Sequence, residues 1–192
     1  MKKTTLFTGL CQMFLLPLVL CATENLLPDG NFETPLEQSK WQRKFFNGAN
    51  GSIERTSLSP KEGKYAVCLT AREVQSGFLE LWSPMINLSG YSKLTFNFVY
   101  KCTEKNRASF NVIVRRLNNG KWENLPIPEA KVRMEKRDEW TPAELVVDIP
   151  AEFQQDKLLA FIKIIHWGSI AENSSYFDAI TMTGQKLSPA KQ

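Results

Sequence analysis

The sequence predicts an all-β fold: an antiparallel β-sandwich, a jelly roll of about nine strands in two stacked sheets. Three observations predict it. Short runs rich in Val, Ile, Phe, Tyr and Thr recur along the chain, clusters of Gly, Pro, Asn and Ser break them, and neither helical periodicity nor βαβ alternation is found. Without βαβ units a parallel sheet cannot be built, so the strands must pair as antiparallel neighbours and stack face to face.

The opening segment 25–33 is read as the first strand, and 51–57, 65–71 and 77–83 follow as short apolar runs bounded by turn residues. In 77–83, Leu79 and Leu81 face one way while Phe78, Glu80 and Trp82 face the other, so Trp82 is expected on a wet face beside a carboxylate. Segment 92–102 alternates cleanly: Leu94, Phe96, Phe98 and Tyr100 share one face, Thr95, Asn97 and Lys101 the other. Segment 108–117 runs into Asn118-Asn119-Gly120, where Asn and Gly tolerate the positive φ of a tight hairpin. The charged stretch 126–140, with Pro126 and Pro128, is expected to be a long connection with at most one helical turn. Segments 141–149, 157–167 and 175–183 complete the set.

Before this pattern starts, Lys2 and Lys3 precede an apolar stretch from Leu6 to Leu20 and small residues around Cys21 and Ala22, the layout of a secretory signal. The expected organisation is therefore a cleaved signal at 1–22, one sandwich domain at 23–184 and a flexible tail at 185–192. The apolar stretch falls short of the roughly 20 residues of a membrane-spanning helix. Lipid anchoring is argued against because Leu20 and Leu10, not small residues, stand before Cys21 and Cys11. The protein is expected outside the cytoplasm, extracellular or periplasmic.

Of 24 Lys plus Arg, two lie in the signal, leaving 22 against 20 acidic residues and a net charge of +2. That balance offers nothing to nucleic acid or an anionic membrane, and points to neutral or mixed partners. Only Cys68 and Cys102 remain after the signal, so the fold rests on burying apolar area, with at most one bridge between them.

At the start of the domain stands Asn25-Leu26-Leu27-Pro28-Asp29-Gly30-Asn31-Phe32-Glu33, and near its end Ser175-Tyr176-Phe177-Asp178-Ala179-Ile180-Thr181-Met182. Between them come Glu62-Gly63-Lys64-Tyr65-Ala66-Val67, Ser83-Pro84-Met85-Ile86-Asn87-Leu88-Ser89-Gly90 and Glu139-Trp140-Thr141-Pro142. In order and spacing these five pieces resemble the cellulase-associated carbohydrate-binding modules of families 4, 9 and 22, which have a galactose-binding-like jelly roll. The resemblance covers roughly residues 25–184.

The resemblance implies a structural calcium held by the side chains of Glu33 and Asp178 and the carbonyls of Asn31 and Lys64, with Glu62 beside them. A hard cation bound there would tie the two chain ends together. It also implies that Trp41 and Trp140 are packing aromatics, and that His166, Trp167 and Gly168 line the ligand cleft. Read from the residues, His166 shares parity with Ile162 and Ile164 while Trp167 shares it with Phe161, Lys163 and Ile165, so a bulge is needed to place both in a cleft.

Sugar recognition needs flat aromatic faces ringed by hydrogen-bonding groups. Trp122, in the polar stretch Lys121-Trp122-Glu123-Asn124, is the first candidate platform and Trp82 the second, with Arg115, Asn111 and Asn97 as polar contacts.

Catalysis finds little support. One histidine serves neither a Ser-His triad without a nucleophile elbow nor a histidine-based zinc site, and phosphate-cradling glycine loops are missing. Paired carboxylates for glycoside hydrolysis, among Glu135, Asp138, Glu139 and Glu144, stay open. The expected function is a secreted, non-catalytic module that recognises a poly- or oligosaccharide. The rivals are an extracellular protein-protein or cell-surface adhesion domain without a glycan ligand, and a component of a glycoside hydrolase system.

Overall fold

The structure, a computed structural model, describes residues 24–187 apart from 59, 73–76, 106, 129, 169 and 170; the expected signal at 1–22 lies outside the described residues. Among them are twelve strands: β1 Gln42–Phe46, β2 Gly51–Thr56, β3 Ala66–Ala71, β4 Phe78–Trp82, β5 Ile86–Asn87, β6 Tyr91–Cys102, β7 Ala108–Asn118, β8 Lys121–Asn124, β9 Lys131–Arg133, β10 Arg137–Asp148, β11 Leu158–Trp167 and β12 Asn173–Lys186. A single 3-10 turn, Ala151–Phe153, links β10 to β11. No helix among the described residues is long and apolar enough to cross a membrane.

Seven strands form one sheet, β1-β4-β11-β7-β8, with β5 also on β11 and β9 also on β7; five form the other, β10-β6-β12-β3-β2. Every pairing is antiparallel, as the absence of βαβ units requires. The two inner faces interlock through aromatic contacts. Phe98 of β6 stacks on Phe110 of β7 at 4.2 Å between centroids, and Phe96 meets the same ring edge-on at 6.0 Å. Leu79, Leu81, Ile162 and Ile164 face Leu69, Leu94, Phe177 and Met182 across this core, all essentially closed to solvent.

The expected sandwich is therefore present, with differences in its parts. Segment 25–33 is not a strand: Asp29 and Phe32 adopt φ of 55°, and the Pro28-Asp29-Gly30-Asn31 cluster makes turns instead. It still lies along β12, where Leu26 N–H bonds to the Met182 carbonyl and Ile180 N–H to that of Gly30. Strands β1, β5, β8 and β9 are additional, and β9 and the start of β10 occupy the expected connection 126–140. Too few residues alternate in these short edges to register as period-2 patterns. The last strand runs to Lys186, two residues into the expected tail, because Gln185 pairs with Lys93 of β6.

The Asn118-Asn119-Gly120 hairpin forms as expected, with φ of 48° at Asn119 and 77° at Gly120. Trp41 is buried and packs on Phe32 at 5.2 Å. Trp140 departs from expectation: it is half-buried, with Lys101 Nζ 4.9 Å from its ring centre, on the outer side of the five-stranded sheet. Cys68 and Cys102 are free thiols. Cys68 lies opposite Tyr176 and Cys102 opposite Ser175, neighbours that point to opposite faces of β12, so no bridge can form.

Candidate functional site

Directly opposed residues of antiparallel strands share a face, so the register maps the outer face of the seven-stranded sheet row by row. In one row Gln42 of β1, Trp82 of β4, Lys163 of β11, Asn111 of β7 and Lys131 of β9 stand side by side. The next row holds Lys44, Glu80, Ile165, Ser109 and Arg133, and the one after it Phe46, Phe78 and Trp167. In the other direction Phe161 stands beside Ile113, then Leu159 beside Arg115 and Asn124, then Leu117 beside Trp122.

Two hollows open on this face. One, of about 360 Å³, lies between Asn111, Leu125, Ile127, Lys131 and Ile165. The other, of about 280 Å³, lies between Trp82, Met85, Arg115 and Phe161. Both are lined by Ile113, Asn124 and Lys163, so they adjoin as one groove across the strands.

Trp82 sits at one end of it, on a wet face beside a carboxylate as the alternation of β4 predicts. Its indole N–H donates to Glu80 Oε2, its ring leans on Phe161 at 5.3 Å, and Lys163 and Lys44 Nζ lie 5.0 and 5.6 Å from its ring centre. Glu80 is only 3% exposed and also holds Lys163 Nζ at 2.9 Å, so the ring is fixed by a buried ion pair. Arg115 donates from Nη2 to the Trp122 carbonyl at 3.0 Å, while its Nε is buried without a partner. Asn111 is tied down by hydrogen bonds from Nδ2 to Ser109 Oγ and the Lys163 carbonyl.

Other expected site residues fall elsewhere. Trp122 shares the outer face but lines neither hollow: it stands beside Leu117, two residues and about 7 Å along the strands beyond the groove-lining Arg115 and Asn124. His166 lines neither hollow. β11 pairs with β7 without a bulge, which turns His166 inward, fully buried, with Nδ1 2.8 Å from Ser175 Oγ. Burial drops its pKa from 6.5 to about 4, against the opposing effect of hydrogen bonding to Asn173. Trp167 faces out, with Lys131 Nζ 5.6 Å from its ring centre. Asn97 lies on the exposed side of β6, in the other sheet.

Phe46 and Phe78, stacked at 4.8 Å on the groove side, were missed. The first lies in an edge strand too short to show its parity, although Phe78 shares the alternation that exposes Trp82.

The residues expected to hold calcium do converge, on the turn at 61–65. Asp178, fully buried, accepts at Oδ2 from the N–H groups of Lys61 (2.8 Å) and Glu62 (2.9 Å), and at Oδ1 from Ala179 (2.7 Å). Glu33 Oε1 accepts from Lys64 (2.7 Å) and Tyr65 (3.1 Å), while Asn31 Oδ1 caps Glu33 N–H. Calcium needs roughly six to eight oxygens. Here the turn offers its N–H groups to both carboxylates, and no three His, Cys, Asp or Glu side chains cluster as metal ligands among the described residues. In this arrangement Glu33 and Asp178 serve as the acceptors of a hydrogen-bonded clasp on the turn. Burial raises the Asp178 pKa, with its three backbone donors acting the other way.

No family model and no curated protein matches the chain. Solved structures do. TmCBM61, determined with β-1,4-galactotriose, is 16% identical with a TM-score of 0.55, over 85% of this chain and 100% of its own. The family 11 carbohydrate-binding module of a Clostridium thermocellum cellulosomal cellulase is 15% identical with a TM-score of 0.56, over 88% and 99%. The CBM22-1 xylan-binding domain from Paenibacillus barcinonensis is 16% identical with a TM-score of 0.51, over 87% and 98%. An enzymatically active domain of a bacteriophage CBA120 tailspike is also similar, at 11% and a TM-score of 0.60, but this chain spans 21% of it. At these identities the likeness is one of fold: a β-sandwich of the kind carbohydrate-binding modules have.

Proposed function

We propose that this protein is a secreted, non-catalytic carbohydrate-binding module that takes a glycan chain along the groove on its seven-stranded sheet. The observation carrying this reading is Trp82, an aromatic held in place by Glu80 and Phe161 in a groove whose other walls present Arg115, Asn124 and Lys163. A fixed indole supplies the flat surface for the C–H side of a pyranose, and the polar groups beside it meet the hydroxyls. Its fixed position means little side-chain freedom is lost on binding. The reading also draws on the shared fold, since three of the similar structures are carbohydrate-binding modules. Export is assigned to segment 1–22, and the chain ends are assigned to the hydrogen-bonded clasp rather than to calcium.

The test is retention on a panel of soluble and insoluble polysaccharides. Trp82→Ala is expected to lose about tenfold or more in affinity with its far-ultraviolet spectrum unchanged, as removal of a stacking aromatic does. Trp122→Ala, outside the groove, is expected to change it less than twofold. Retention of no polysaccharide would end the reading in favour of an adhesion domain.

A further inference from the structure

The net charge of the whole chain conceals how unevenly it is distributed. On the strands of the groove face stand Lys44, Arg115, Lys131, Arg133 and Lys163, against the single carboxylate of Glu80. Five cations against one anion give the described strand positions of that face +4, while the chain after residue 22 carries only +2 in total, leaving the remainder near −2. Cations gathered on one face of a nearly neutral protein raise the local potential there and mark where an anion is drawn.

Hydrogen bonding points the same way. Lys and Arg side chains only donate. Glu80, the one acidic side chain at the outward positions of these strands among the described residues, is buried and already bonded to Lys163 and Trp82, so it has little left for a sugar hydroxyl. Neutral pyranose hydroxyls need acceptors as well as donors, whereas carboxylate or sulfate oxygens only accept and match a wall of donors. Arg115 adds to this: it lines the hollow, spends Nη2 on the Trp122 carbonyl, and its Nε, closed to solvent, has no protein acceptor. The aromatics of this face carry cations beside them, Lys44 and Lys163 at Trp82 and Lys131 at Trp167. A ring stacked on either indole therefore brings an acidic substituent within reach of an ammonium.

We infer that the groove is selective for an anionic glycan, a polysaccharide bearing carboxylate or sulfate groups, with Arg115 and Lys131 contacting the acidic groups. This rests on the reading of the groove as a carbohydrate site and names the class of its ligand. A neutral glycan offers Arg115 and the lysines only hydroxyl acceptors, with no charge to pair. An acidic one adds charge-assisted bonds to them.

Affinity electrophoresis or titration calorimetry of the whole protein decides it, with polygalacturonate as the carboxylated probe, a sulfated galactan as the sulfated one, an unsubstituted galactan and xylan as neutral probes, and single-stranded DNA as a polyanion without sugar-stacking faces in the same array. At least one acidic glycan is expected to bind about tenfold or more tighter than either neutral probe, and to weaken as salt is raised. Lys131→Gln, at an exposed position, is expected to lower that affinity several-fold without changing the melting temperature, and Arg115→Gln to lower it more. The two acidic probes show which group is preferred. Neutral glycans bound as tightly as acidic ones would overturn the inference and leave the carbohydrate reading standing. DNA bound as tightly as the acidic glycans would overturn it by showing only general polyanion attraction. Binding of no glycan would remove both.

Discussion

Lys163 Nζ of β11 stands 2.9 Å from Glu80 Oε1 of β4, and the same carboxylate takes the indole N–H of Trp82 two residues along its own strand. One buried anion therefore joins two strands and sets the angle of the ring proposed to bind sugar. Replacing Glu80 by Ala leaves a largely buried ammonium and an indole N–H without that partner. The expected loss is about 2–4 kcal/mol of folding stability, measured by urea denaturation. Glu80→Gln, which keeps an acceptor for the indole, is expected to lose less. A loss under about 0.5 kcal/mol for Glu80→Ala, the size of an ordinary surface change, would show that the pair does not organise the groove.

The clasp on the 61–65 turn gives a second prediction. Asp178→Ala removes the acceptor of three backbone N–H groups, in a buried setting, and is expected to destabilise by about 3 kcal/mol. Because these bonds involve no metal, EDTA is expected to leave the melting temperature unchanged. A fall on chelation, reversed by added calcium, would show that the ion binds and that the turn rearranges to admit it.

A third prediction concerns acid. His166 is buried with its pKa lowered from 6.5 to about 4, so between those values the unfolded chain takes up a proton that the folded chain refuses. Stability contributed by the neutral ring is complete above pH 6.5 and is lost as pH falls toward 4, to a maximum of about 3 kcal/mol. Denaturation midpoints at pH 7 and pH 4.5 are expected to differ more in the native protein than in His166→Gln. Asp178, whose raised pKa works in the opposite sense at acid pH, is common to both proteins and drops out of the comparison.

The fourth lies where the opening segment meets the last strand. A Cβ at Gly30 would stand 2.0 Å from the Ile180 carbonyl oxygen, and that backbone cannot move without losing the bond from Ile180 N–H to the Gly30 carbonyl. Gly30→Ala is expected to destabilise by about 1–3 kcal/mol, read as a lowered melting temperature. An unchanged melting temperature would show that the opening segment is loosely held.

Much of the fold was legible because its strongest signal is local. The alternation in β4 and β6 tells which side chains share a face, and it placed Leu79 and Phe96 apart from the wet face and Trp82 on it. Where that period fails, the local signal is lost. The segment 25–33 has apolar residues but turn-forming φ values, β1 and β9 are too short to show a period, and Ala179 at φ of 50° sits in a bulge that brings both Phe177 and Ile180 to the interior. His166 is instructive in the other direction. Its parity set it on the side of Ile162 and Ile164, opposite Trp167, and the family resemblance put both in the cleft; the unbroken register of β11 against β7 keeps them on opposite faces.

Sequence by itself determined the class of the fold, the parity of β4 and β6 and the tight turn at Asn119-Gly120, since all three depend on residues within a few positions of one another. Tertiary structure alone decided which strands are neighbours. That choice sets Lys44, Lys131 and Lys163 on three different strands around Trp82 and Trp167, and leaves Trp122 outside the groove. The physical reason is that strand order and register come from burying two faces at once over the whole chain, a global packing condition that no local pattern encodes.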